Sequence, residues 1–72
     1  IRGEDKPGIL NDISNSITNY KSTNIKSVNI FSHDSIFEGS IAVYVSDLGH
    51  LNRLIERLKN SPGVFSVERF QP

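Results

Sequence analysis

The 72 residues contain no cysteine, which excludes a disulfide framework and any thiolate metal site. Only two histidines are present, His33 and His50, and no other ligand residues cluster around either. A stabilising metal is therefore not expected, and no residue pattern asks for a cofactor. Charge of one sign is missing too: eight Lys+Arg balance eight Asp+Glu, with no block of either. Nucleic acid binding by bulk electrostatics is disfavoured, although a local patch stays open. The apolar runs are only a few residues long, too short for a membrane-spanning helix. No signal-peptide pattern is present. A cysteine-free, unsignalled chain is expected in the cytoplasm.

Catalytic signatures are also missing. There is no G-x-x-x-x-G-K, no H-E-x-x-H and no serine in G-x-S-x-G. His33 and Asp34 are neighbours, so in extended chain they point to opposite sides and cannot act as a relay. His33 is expected to cap a hairpin and His50 to sit on a solvated first helical turn. No catalytic residue is expected. A core built from so few residues is marginal alone. With disulfides and metal excluded, packing against a second copy or a longer protein is the remaining support. The opening Ile1-Arg2-Gly3 reads as the tail of a strand. Residues 1–72 are accordingly expected to be one domain, excised from a larger protein with its first strand truncated.

Turn signals at Asp5-Lys6-Pro7-Gly8, Ser22-Thr23-Asn24, His33-Asp34-Ser35, Ser46-Asp47 and Asn60-Ser61-Pro62-Gly63 cut the chain into six segments. After the strand tail, Ile9, Leu10, Ile13, Ile17 and Tyr20 recur at helical spacing, which predicts a helix over Pro7 to Lys21. Ile25 to Ser32 and Phe37 to Val45 read as a hairpin of strands. In the second of these, Phe37, Ile41, Val43 and Val45 face one way and Glu38, Ser40, Ala42 and Tyr44 the other. Asp47 is a good N-cap for a second helix striped by Leu48, Leu51, Leu54, Ile55 and Leu58. Val64 to Phe70 is the last strand. The order β-α-β-β-α-β with one apolar stripe per helix predicts an α+β, ferredoxin-like sandwich. Its antiparallel four-stranded sheet has spatial order 4-1-3-2, with both helices on one face. The second strand is then an edge with no Pro and only one Lys, Lys26, to block a further strand.

The informative segment is the strand-to-helix turn ending in Pro7-Gly8-Ile9-Leu10. Pro7 presets a helical φ and lacks an N–H. Gly8 removes a side chain where another group could approach. The amides of Gly8, Ile9 and Leu10 are then expected to point outward at the positive end of the helix dipole, ready for a carboxylate. Asp5 beside them can accept an ammonium. Together they match the two charges of a free amino acid; the plainer alternative is that Asp5 only caps the helix. An RNA-recognition domain shares the element order, but stacks bases on several aromatics of its central strands. Here Tyr44 is the one aromatic on that face of the third strand.

This order of elements resembles that of an ACT domain, a small regulatory module often sensing amino acids for metabolic enzymes. Asp5-Lys6-Pro7-Gly8-Ile9-Leu10 at the first helix and Asn24-Ile25 entering the second strand carry the likeness. Phe37-Glu38-Gly39-Ser40-Ile41, His50-Leu51-Asn52-Arg53-Leu54-Ile55 and Pro62-Gly63-Val64 sharpen it. They are similar to the C-terminal ACT domain of Rel/SpoT proteins. Those are GTP pyrophosphokinases that make and degrade guanosine tetra- and pentaphosphate in the stringent response. The resemblance implies a homodimer through the second strand and first helix. A ligand would lie between Asp5, Pro7, Gly8, Ile9 and Leu10 of one copy and Asn24 of the other. Gly3 stands where some members use a histidine and Asp5 where some have an amide, which disfavours serine; an apolar amino acid lying along Ile9 and Leu10 is expected, with no ligand at all as the alternative. The resemblance also implies control of the parent's catalytic half. The alternative is docking to ribosomal RNA or another domain without a small ligand, with Arg2, Lys6, Lys21 and Lys26 as a basic rim.

Overall fold

The structure, a computed structural model, describes residues 1–69. Two Pro-Gly pairs shape its start. Lys6 to Ile9 make a type II turn: the Ile9 amide donates to the Lys6 carbonyl at 3.2 Å, and Gly8 sits at φ 82°, ψ −5°. Only a residue without Cβ takes that position freely. Gly63 repeats this conformation at φ 87°, in a turn closed by the Val64 amide on Ser61 O. The two turns lie side by side, because the Glu4 amide donates to Gly63 O at 2.7 Å.

The first strand, β1, runs Arg2–Glu4 and the first helix, α1, Ile9–Asn19. Ile9, Ile13 and Ile17 repeat every four residues and are buried. The helix is shorter than the predicted Pro7 to Lys21. Pro7 and Gly8 belong to the turn, so Pro7 lies outside the helix instead of opening it. At the other end Tyr20 is extended, and Lys21 and Ser22 are left-handed at φ 51° and 52°. The Thr23 amide closes that turn on Tyr20 O. For side chains that are not glycine, each left-handed residue costs roughly 1–2 kcal/mol.

The hairpin strands are β2 (Asn24–His33) and β3 (Ile36–Tyr44). Their two-residue loop, Asp34-Ser35, has φ 50° and 65°, the type I′ geometry whose twist suits a hairpin. Pairing runs from Asn24↔Tyr44 to His33↔Ile36, with a register irregularity between Ile25 and Ser27. The second helix, α2, spans Leu48–Lys59 and the last strand, β4, Val64–Ser66. β4 is shorter than the predicted Val64 to Phe70. Among the described residues its sheet neighbour is β1, which offers three residues to pair with; Phe70 lies outside them.

The sheet is antiparallel with order β2-β3-β1-β4, so β2 is an edge. This is the ferredoxin-like arrangement read from the sequence. Ile9, Ile13 and Ile17 of α1 and Leu54 and Leu58 of α2 join Phe37 and Val67 in one core. Both helices therefore cover the same sheet face. His50 corrects an expectation. It is buried, not solvated, because it precedes Leu54 and Leu58 at four-residue spacing on the inward line of α2. Leu48, assigned to that stripe, is exposed.

Candidate functional site

The type II turn and the edge strand enclose a cleft of about 200 Å³ lined by Asp5, Ile9, Leu10, Ile30, Ser32 and Phe37. Four of the six are apolar, and Asp5 and Ser32 supply the polar groups. Drug-sized ligands fill pockets of roughly 300–1,000 Å³, so this cleft suits something smaller. Leu10 is 46 % exposed. It turns away from the core line of α1 and forms a wall of the cleft instead.

The structure gathers Asp5, Ile9 and Leu10 at the cleft. Pro7 and Gly8 do not line it. They build the turn behind it, and a Cβ added at Gly8 would meet nothing within 4 Å. Gly8 is therefore required for its φ, not for close approach. Of the amides expected to be open, that of Ile9 is already bonded to Lys6 O. The carbonyl of Gly8 accepts from Asp12, and no side chain caps the helix. Asp5 is exposed and does not serve as the cap; its own amide donates to Ser35 O at 3.0 Å, tying the hairpin tip to the turn. Asn24 pairs with Tyr44 at the far end of β2 and does not reach the cleft of its own chain. Ile30, Ser32 and Phe37 were not singled out in the sequence. The signal was the alternation of β2, which puts Ile30 and Ser32 on one face, together with the β2–β3 register, which sets Ser32 opposite Phe37.

At Gly3 a side chain has no room. A Cβ there would lie 2.4 Å from Gly63 O and 2.5 Å from Phe37 Cε2. The Phe37 ring, which lines the cleft, occupies the space beside Gly3.

At the other end of α1 the polar groups are structural. The Asp47 carboxylate accepts the His50 amide at 2.8 Å and caps α2. That hydrogen bond holds its carboxyl below the usual carboxylate range, with the charge of Lys21 reinforcing it and partial desolvation opposing. Arg57 reaches from α2 to donate to Ser16 O at 3.1 Å. It thereby supplies the positive charge that the last turn of α1 lacks.

Of the cations proposed as a basic rim, Arg2, Lys6 and Lys21 lie on different parts of the fold. Arg2 faces Glu38 on the open sheet face at 4.0 Å. Lys6 packs at Gly63 before α1, and Lys21 sits over the Tyr20 ring after it. The eleven residues of α1 hold Lys6 and Lys21 apart by about 16 Å of helix. On the hairpin strands the open face carries two exposed aromatics, Phe31 and Tyr44, and Phe65 of β4 is exposed as well. Phe31 pairs with Glu38 and Asn24 with Tyr44, so the two rings lie about 20 Å apart along the strands. Adjacent bases could not stack on both. A larger hollow of about 470 Å³ on this face has Arg2, Glu38 and Glu68 in its lining. It lacks the apolar enclosure of the smaller cleft.

Comparison with known proteins gives consistent findings. A family model described as an ACT domain matches residues 1–69. The crystal structure of the ACT domain from GTP pyrophosphokinase of Chlorobium tepidum is 36 % identical, with a TM-score of 0.84. The match covers 97 % of this chain and 90 % of that one. The solution NMR structure of the same domain is matched at 35 % identity and a TM-score of 0.84, covering 100 % and 81 %.

Proposed function

The chain belongs to the ACT-domain family, and from that premise we propose that it is the regulatory domain of a GTP pyrophosphokinase of the stringent response. In this reading it senses a small apolar amino acid in the Asp5–Leu10 cleft and pairs with a second copy along β2. It has no catalytic role itself and acts on the catalytic half of its parent.

The observation that carries the reading is the cleft lying against the free strand edge. Asp5 suits the ammonium of an amino acid and the amide end of α1 its carboxylate. Ile9, Leu10 and Ile30 suit an aliphatic side chain. Leu10 and Val28, 46 % and 43 % exposed, leave apolar surface beside β2 for a partner to cover. Pairing of β2 with itself is geometrically restricted. Both copies must keep their helices on one side of the joint sheet, so residues of like face must oppose. A two-fold axis through Val28 or Asn29 meets that condition with nearly full overlap. Either axis sets the partner's Asn24 within about two residues of Ser32, which lines the cleft. Asn24, remote within one chain, would then lie beside the cleft end of the other, on the open face that it shares with Tyr44.

Titration of the domain with single amino acids, followed by NMR, tests this. Aliphatic amino acids should shift the amides of Asp5, Leu10 and Ser32 and strengthen self-association in sedimentation, and Asp5→Ala should abolish both. A strict monomer whose amides ignore every amino acid would overturn it. A ligand acts on the parent only through unequal affinity for its two states, so the full-length enzyme should show a matching change in synthetase-to-hydrolase ratio.

A further inference from the structure

Two buried polar side chains take no part in the cleft. Thr23 and His50 are 3 % and 6 % exposed, and both are fully hydrogen-bonded. The Ser46 amide donates to His50 Nδ1 at 3.2 Å. A backbone amide can only donate, so Nδ1 carries no proton. Nε2 carries it, and donates to Thr23 Oγ1 at 2.7 Å. The Thr23 hydroxyl in turn donates to Tyr20 O at 2.6 Å. The relay therefore has one direction, from imidazole to hydroxyl to carbonyl.

That carbonyl also accepts the Thr23 amide at 3.1 Å and closes the turn holding Lys21 and Ser22 left-handed. Non-glycine residues stay in that region only where the surroundings over-determine them. The next residue is Asn24, which opens β2 opposite Tyr44, just before the register irregularity. His50 thus grips the chain on both flanks of the Asn24–Tyr44 pair, at Thr23 before β2 and at Ser46 after β3. The irregularity interrupts the ladder next to this end of the strand, and the relay ties it to α2.

We propose that Thr23 and His50 are positioning residues that hold Asn24 and the opening of β2 in place for the second copy. The functional part of this rests on the reading of β2 as the pairing edge; the local part does not. Nitrogen-15 spectra of His50 in the wild-type chain come first. A protonated Nε2 and bare Nδ1 are expected, and the opposite tautomer would overturn the proposal whether or not any variant folds. Thr23→Val keeps the shape and removes the hydroxyl. It should erase the positive-φ coupling signature of Lys21 and Ser22, speed exchange at Asn24 at least tenfold, and weaken self-association at least tenfold. Thr23→Ser should restore all three, and adding Ser22→Gly to Thr23→Val should recover most of the association without the hydroxyl. Ile55→Val, or a similar core variant matched in melting temperature to Thr23→Val, should leave association unchanged. If it weakens association equally, or if Thr23→Val leaves the couplings and exchange at wild-type values, the positioning role is refuted. A wild-type chain that is monomeric at every concentration refutes the pairing reading alone. Couplings and exchange then still decide whether the relay holds the turn.

Discussion

Val28→Lys is the sharpest probe of pairing along β2. Val28 lies at the middle of the strand, opposite Ile41, on the helix-covered face, and is 43 % exposed. Full burial of such a side chain is worth about 1.5–3 kcal/mol. The share left exposed in the single chain therefore corresponds to roughly 0.6–1.3 kcal/mol per copy. A lysine there forfeits that gain twice, once on each side of the axis, or about 1.3–2.6 kcal/mol. It also brings two ammonium groups within roughly 8 Å. At an effective dielectric between about 80 and 20 their repulsion is about 0.5–2 kcal/mol. The sum, about 2–5 kcal/mol, weakens association by about 20-fold to 3,000-fold at 1.4 kcal/mol per decade. The single chain should tolerate the change, because an exposed edge accepts lysine and its stem still covers apolar surface. Sedimentation equilibrium gives the association constant, and thermal unfolding at dilution checks that the fold survives. In roughly 1 M salt the Debye length falls to about 3 Å, so salt should recover the repulsive part of the loss and not the burial part. An association constant within threefold of wild type, with the fold intact, would refute the pairing geometry.

Three further outcomes follow from the same contacts. Gly3→Ala drives a methyl into Gly63 O and the Phe37 ring; at about 1–3 kcal/mol for overpacking, the melting temperature should fall by about 4–24 °C. Ser22→Gly relieves a left-handed residue at φ 52°. Set against the added flexibility of glycine, it should raise the melting temperature by a few degrees in thermal unfolding. The Asp47 carboxyl is held below its unfolded value by the His50 amide, so its contribution is complete above the unfolded carboxylate pKa, about 3.9. It should be lost as pH falls through the lower folded value. Asp47→Ser, which still caps, should flatten that acid limb in urea unfolding curves recorded against pH.

The element order and sheet order were legible because each segment carries its own period. Ile9, Ile13 and Ile17 announce a helix, and the alternation from Phe37 to Tyr44 announces a strand buried on one face. What misled was chemistry shared between neighbouring functions. Pro7-Gly8 signals a helix start and a type II turn with the same two residues, and only the φ of Gly8 decides. His50 looks solvated beside Asp47 and Asn52, yet the line it forms with Leu54 and Leu58 was readable in the spacing. Thr23 was hidden in a run of turn residues, because its role depends on a histidine 27 positions away. The cleft was half legible. Asp5, Ile9 and Leu10 are contiguous in sequence, whereas Ile30, Ser32 and Phe37 arrive only through the hairpin register.

The sheet has two edges, and their lengths argue which one recruits a partner. β4 has three residues, Val64–Ser66, and β2 has ten, Asn24–His33. Each antiparallel residue pair adds main-chain bonds at a spacing of about 3.4 Å, so β2 offers a seam roughly three times as long. Natural edges are commonly blunted by proline, inward charge or bulges. β2 has no proline, and its one lysine, Lys26, falls at its one register irregularity. Both blunting features therefore sit at the Asn24 end and leave Ser27 to His33 unobstructed. Pairing about Val28 or Asn29 brings the blunted end of one copy against the hairpin end of the other, beside its cleft. A seam that is open over most of its length and irregular only beside the cleft suits a contact whose strength the amino acid of the proposed function would adjust. Straightening the irregularity by deleting Lys26 should therefore uncouple the two, leaving association strong and no longer responsive to amino acids; association that stays responsive would show that the irregularity has no part in the coupling.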